Sequence, residues 1–210
     1  MKAENFFTES EKADIAAAIS EVEKNTAGEI AVMVVDRSDS YPDANILAGV
    51  ILGGLASLVI TEFLFADSLT YFVILFGGSS LLLSWATEYL TPLKRIFTTV
   101  NRRDVMVREQ AVQEFYKKGL YRTRDATAVF FFISLFERKV WILADKGINS
   151  KISPEDLQAY AGDMAKGIRQ GRAAEVLCQG IARLGQVLAE HFPPRPDDVD
   201  ELPNQVIVGE

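Results

Sequence analysis

Two stretches of this chain carry no charged residue: residues 44–61, 18 long, and residues 68–87, 20 long. At 1.5 Å per residue they make roughly 27 and 30 Å of helix, matching a bilayer hydrocarbon core of about 30 Å. A helix buried in a soluble core normally keeps a polar stripe, and neither run has one. A cleaved secretory leader is disfavoured too, because the first run starts at Ala44, behind an acidic segment of helical periodicity. Only residues 62–67 separate the runs, so the expectation is a tight transmembrane hairpin over 44–91 that returns the chain to the side it left. The turn holds Glu62 and Asp67 and no Lys or Arg, whereas Lys94, Arg95, Arg102 and Arg103 follow the second run. The positive-inside rule then places the basic flank and both termini in the cytoplasm, at a bacterial plasma (inner) membrane crossed twice. Gly53 and Gly54 should lie at the depth of Gly77 and Gly78. With the Gly49/Gly53 pair and Ala56, Ser57, Ser80 and Ser84, they suit close packing within the hairpin or against a second copy.

The rest of the chain is a different material. Charged residues make up 24% of the 210 and hydrophobic ones 49%, which excludes both a wholly membrane-embedded protein and a disordered one. A net charge of −7 disfavours nucleic acid, whose phosphates call for a basic surface. Cys178 and His191 are alone of their types, so one chain holds no disulfide, CxxC pair, Cys/His zinc site or Cys–His dyad.

Residues 1–43 and 92–192 must fold together, since neither part has a complete pattern. Thr8 and Glu11 have capping-box spacing, and Ile15, Ile19 and Val22 recur on one helical face. EIAVMVV from Glu29 reads as a short buried strand. A second helix over 102–118 follows the hairpin, with Gly119 as its C-cap. TAVFFFISLF, 127–136, is apolar on both alternating faces, as in a central strand covered on both sides. Residues 140–144 return antiparallel. Ser153, Pro154 and Asp156 open a third helix, and residues 172–191 form a fourth. The predicted class is α/β: a three-layer sandwich with a small mixed sheet covered by helices, interrupted by the hairpin. The first two strands should be parallel, because a strand–helix–strand crossover demands it. Residues 193–210, acidic and proline-rich, read as a mobile tail whose Asp197, Asp198, Asp200 and Glu201 either attract a basic partner or are simply solvated.

That topology gathers the starts of the first two strands and the end of the third at one edge. Glu29, Asp125 and Asp145 lie there, with Arg124 and Lys146 beside them. Three hard oxygen donors suit Ca²⁺ or Mg²⁺, and the two cations suit a phosphate ester; the alternative is a set of solvated acids neutralised by their neighbours. Asp36, Asp39 and Asp43 lack EF-hand spacing and read as a linker. Cys178 reads as a small core residue, and His191 as a residue at a helix C-terminus.

The segments FFTESEKADIAAAISEVEKNTAGEIAVMVV and TRDATAVFFFISLFERKVWILADKGINSKI, followed by two helices, resemble the TPM domain, with ERKVWILADKGI the most specific stretch. AEHFPPRPDDVDELPN resembles the tail of a membrane-embedded bacterial branch of that family. The resemblance implies a TPM-like fold, accessory roles in membrane-protein complexes, acid phosphatase activity and acidic patches that bind divalent cations. The expected function is therefore a membrane-anchored accessory or interaction protein, with the bilayer and another membrane protein or a homo-oligomer as partners. The alternative is a weak divalent-metal-dependent acid phosphatase.

Overall fold

The computed structural model describes residues 2–65, 68–195 and 200–209. In chain order these form α1 (Glu9–Glu23), β1 (Glu29–Val35), α2 (Pro42–Leu64), α3 (Leu69–Tyr89), α4 (Thr91–Phe97) and α5 (Val100–Lys117). Then come β2 (Ala128–Ser134), β3 (Lys139–Ala144), α6 (Lys146–Asn149), α7 (Pro154–Arg169), α8 (Ala173–His191) and β4 (Ile207–Gly209). The chain divides into two compact units, Met1–Ser38 with Asp104–Glu210, and Asp39–Arg103.

The first unit is α/β around a four-stranded mixed sheet of order β3-β2-β1-β4. β1 pairs in parallel with β2 and β4, and β2 pairs antiparallel with β3. β1 and β2 are buried along their whole length. Ile30, Val32 and Val34, with Val129, Phe131 and Ile133, join a core with Ile15 and Ile19 of α1, Leu157 and Met164 of α7 and Leu177 and Leu184 of α8. The alternate residues Ala31, Met33, Val35, Phe130 and Phe132 pack with Val107, Ala111 and Phe115 of α5. Helices on both faces explain why the strands are continuous apolar runs without alternation.

The helix ends follow their sequence signals. Thr8 Oγ1 accepts the Glu11 N–H at 3.2 Å while Glu11 accepts the Thr8 N–H at 2.8 Å, closing the capping box. Ser153 Oγ accepts the Asp156 N–H at 3.1 Å, with Pro154 at the first helical position. Gly119 has φ +72°, a conformation that favours glycine, and lets the chain turn out of α5.

The C-terminal segment corrects the expectation of a mobile tail at residues 200–209. Ile207, Val208 and Gly209 pair with Met33, Val34 and Val35, and Leu202 is buried against the α5 face of the sheet. Three consecutive β-branched residues, Val206 to Val208, supply the local preference, and the otherwise open edge of β1 supplies the partner. Asp197 and Asp198 lie outside the described residues.

In the second unit α2 and α3 are both long and apolar enough to cross a membrane. Asp67 of the intervening turn lies outside the described residues. The two helices meet through small residues, but not the glycine pairs expected. A Cβ on Gly53 would lie 2.7 Å from Ser80 Cα, and one on Gly49 2.5 Å from the Ser80 carbonyl oxygen, whereas Gly77 and Gly78 face open space. Ser57 and Ser79 hydroxyls sit 2.9 Å apart across the seam, and Ser57 also donates to the Gly53 carbonyl at 2.7 Å. Gly49, Gly53, Ser57, Ser80 and Ser84, expected from the sequence to suit close packing, do line the seam, whereas Gly77 and Gly78 do not. The linker acids are engaged as well, Asp39 and Asp43 by Arg102 at 3.3 and 3.2 Å, and Asp36 by the Ala3 N–H of the first unit.

Gly53→Ala should therefore force α2 and α3 apart, at the about 1–3 kcal/mol typical of overpacking. Gly78→Ala, with open space around it, should be neutral or slightly stabilising. Thermal unfolding of the full-length protein in detergent distinguishes the two.

Candidate functional site

The register sets Glu29 beside Ala128 and Val129 opposite Ala144, so the starts of β1 and β2 and the end of β3 do share one end of the sheet. The chain then takes Glu29, Asp125 and Asp145 to three different sets of partners. Glu29, only 5% exposed, accepts the N–H groups of Glu201 and Leu202 on Oε2 at 3.2 and 3.1 Å. Asp125 pairs with Arg195 at 2.8 Å. Asp145 caps α6, its Oδ1 accepting the Lys146 N–H at 2.7 Å. Among the described residues no three His, Cys, Asp or Glu side chains are grouped to hold a metal ion. Of the two phosphate-binding candidates, Arg124 gives its backbone N–H to Glu201 Oε2 at 2.9 Å. Lys146, with Asp145, lines an open cavity of about 500 Å³ whose apolar wall is Val112, Phe115, Tyr116 and Leu143.

The most unusual electrostatics at this end involve a residue that the sequence did not single out. Glu23, the last residue of α1, accepts the Ile30 N–H on Oε1 at 3.0 Å, and its carboxyl is buried close to Asp200 and Asn204 of the C-terminal segment. In a parallel strand successive N–H groups point to opposite edges, and the Glu29 N–H goes to Thr127 at 3.1 Å, on the β2 side. The Ile30 N–H therefore points to the edge that β4 joins further along. A side-chain carboxyl takes the place of a strand there, and one residue earlier the Glu29 carboxyl catches the incoming C-terminal segment.

Burial pushes Glu23 up to about 8, against the Ile30 amide bond and helped by the charges of Glu29 and Asp200. Burial also pushes Glu29 up to about 7, against the two amide bonds and helped by Asp200 and Glu201. Shifts of this direction reduce the negative charge that the buried edge carries near neutral pH beside Asp200 and Glu201. Nothing in sequence marks Glu23, which sits in the polar string EVEKN like any solvated helix end. It is covered by residues that lie more than 170 positions away.

A second unpredicted carboxyl closes the opposite end of the sheet. Glu137, 2% exposed, accepts the Ser38 N–H at 3.0 Å and the Ser134 hydroxyl. Cys178 is half-buried on α8, and burial raises its thiol pKa, away from reactive thiolate.

No family model matches the chain, and no curated protein does. Among solved structures it is similar to the NMR structure of the BA42 protein from the psychrophilic bacterium Bizionia argentinensis, with a TM-score of 0.62 and 22% identity over 98% of this chain and 97% of that one. A likeness at that identity shows the fold alone.

The raised carboxyls give a signed pH dependence. From the ordinary value of 4.5, both pKa values rise on folding, so their contribution to stability is fully present below about 4.5. It declines as pH rises through about 7 and 8, where the folded state must give up those protons. Thermal unfolding followed from acid to mildly alkaline pH should show that decline. In Glu23→Gln with Glu29→Gln it should be much flatter, because the amides do not titrate.

Proposed function

We propose that this is a membrane-anchored, TPM-like α/β domain that acts as an accessory or interaction protein for a membrane complex at the bacterial plasma membrane. Its partners are the bilayer and another membrane protein or further copies of itself. The observation that carries the reading is the surface of the second unit: α3 buries only Thr87, and large apolar side chains of both helices, Leu55, Leu58, Val59, Ile74, Leu81 and Leu82 among them, are exposed along their length. Such a surface is a liability in water and is the normal surface of a protein in lipid. The resemblance of the strand pair to the TPM domain and the BA42-like fold support the α/β half. The excess of basic residues on the exit flank, with none in the turn between the runs, favours cytoplasmic termini.

In a Cys178→Ala background, Ser68→Cys, beside the hairpin turn, should be labelled by an impermeant maleimide added to intact cells. Gln205→Cys should be labelled only after the cells are opened. The reverse pattern inverts the orientation, and extraction of the protein by alkaline carbonate without detergent removes the membrane reading.

The cavity beside Asp145 and Lys146 favours one second reading, acid phosphatase activity on a phosphate ester held by Lys146. On that reading the purified protein releases phosphate from p-nitrophenyl phosphate at acid pH, and Lys146→Ala abolishes the release while leaving the melting temperature unchanged. Release that persists in Lys146→Ala places the chemistry elsewhere.

A further inference from the structure

The apolar surface of the second unit does not stop where α3 stops. Trp85, 64% exposed, and Tyr89 face outward on its last turns, and Leu90 and Ile96, 77% exposed, continue the surface beyond it. Leu90 leaves the helical conformation at φ −99° and ψ 75°, and the seven-residue α4, with Pro92 in its first turn, packs against both α2 and α3.

In water, α4 would be expected to turn Ile96 inward and Lys94 outward. It does the reverse. Lys94 is 2% exposed, and its Nζ lies 2.6 Å from Glu88 Oε2, the same oxygen that accepts Asn45 Nδ2 at 2.6 Å. One carboxylate oxygen therefore ties α2, α3 and α4 together. In water this arrangement is unfavourable twice over, since it exposes a large aliphatic side chain and takes a lysine out of solvent. The layer between acyl chains and headgroups removes the first penalty, and it is where Trp and Tyr concentrate. The second is met inside the protein by the Glu88 carboxylate.

We propose that α4 is an in-plane interfacial helix, with Leu90 and Ile96 dipping into lipid, Trp85 and Tyr89 at headgroup level, and the Asn45–Glu88–Lys94 cluster folding it back onto the hairpin. The proposal rests on the reading of α2 and α3 as membrane spans and names the layer of the bilayer in which the second span ends. The attraction to lipid is assigned to the apolar Leu90 and Ile96 rather than to anionic headgroups; of the flank cations, Lys94 pairs with Glu88 and Arg102 with Asp39 and Asp43.

The test uses the full-length Cys178→Ala protein in liposomes of zwitterionic phosphatidylcholine, with a nitroxide at Ile96→Cys or, as a reference within α3, at Leu82→Cys. Power saturation compares collisions with oxygen, which concentrates in acyl chains, and with a water-soluble nickel chelate. The proposal expects oxygen to dominate at both positions, with the Ile96 label the shallower. It also expects Glu88→Gln to raise nickel access several-fold at position 96 and not at position 82. Nickel dominating at 96 while oxygen dominates at 82 overturns the interfacial helix and leaves the spans standing. Nickel dominating at both overturns the spans, and the helix with them. A label at 96 closed to both reagents means that protein covers the site, and oxygen access that requires anionic lipid means that charge holds it. Either result also overturns the proposal.

Discussion

The α/β unit depends on the parallel pairing of β1 with β2. Both strands are buried on both faces, so they supply apolar residues to two cores at once, and either core would lose one wall if the pair separated. Parallel strands cannot be joined by a tight turn. The connection from β1 to β2 contains α2 to α5, including the whole second unit. The fold thus sets a hairpin of membrane length inside the crossover that its central pairing requires. Long connections of this kind are tolerated because loop-closure entropy grows only slowly with length.

The same strand poses an edge problem. On one side β1 has β2 along its full length; on the other, β4 covers only Met33 to Val35. The remainder of that edge begins with the Ile30 N–H, which Glu23 satisfies, and with Glu29, which binds the backbone of the C-terminal segment. Exposed edges invite pairing with other chains, and proteins commonly protect them with charges, bulges or covering segments. Here the covering segment is held partly by the Glu29 carboxyl, which burial pushes up to about 7, so protection of the edge is linked to proton binding.

What was legible in the sequence was whatever depends on neighbours a few residues away. Thr8 with Glu11, Ser153 with Pro154, and the period of Ile15 and Ile19 announce helices through contacts within one or two turns. The both-faced apolarity of Phe130 to Ile133 announces a covered strand for the same reason. What was not legible depends on distant chain. Glu29, Asp125 and Asp145 were correctly brought to one end of the sheet, but their partners, Leu202, Arg195 and the turn into α6, decide whether three acids make one site, and strand order says nothing about them. Glu23 looks solvated until residues 200–204 come to lie near it. On α3 the small residues Ser80 and Ser84 were legible as packing positions, but a nearly uniform apolar run did not say that Gly77 and Gly78 would face away from α2.

The long crossover also has a consequence for how the protein is made. At translation rates of roughly 5–20 residues per second, β1 leaves the ribosome several seconds before β2 exists. During that interval the six apolar residues Ile30 to Val35 have neither of their sheet neighbours, and the next chain to emerge is the long apolar hairpin of α2 and α3. α1, made earlier, is the one element of the α/β core already available to shield it, and it can cover one face. The nascent chain is therefore most vulnerable to misassociation while its apolar hairpin is being synthesised. A chaperone would have its greatest effect in that window.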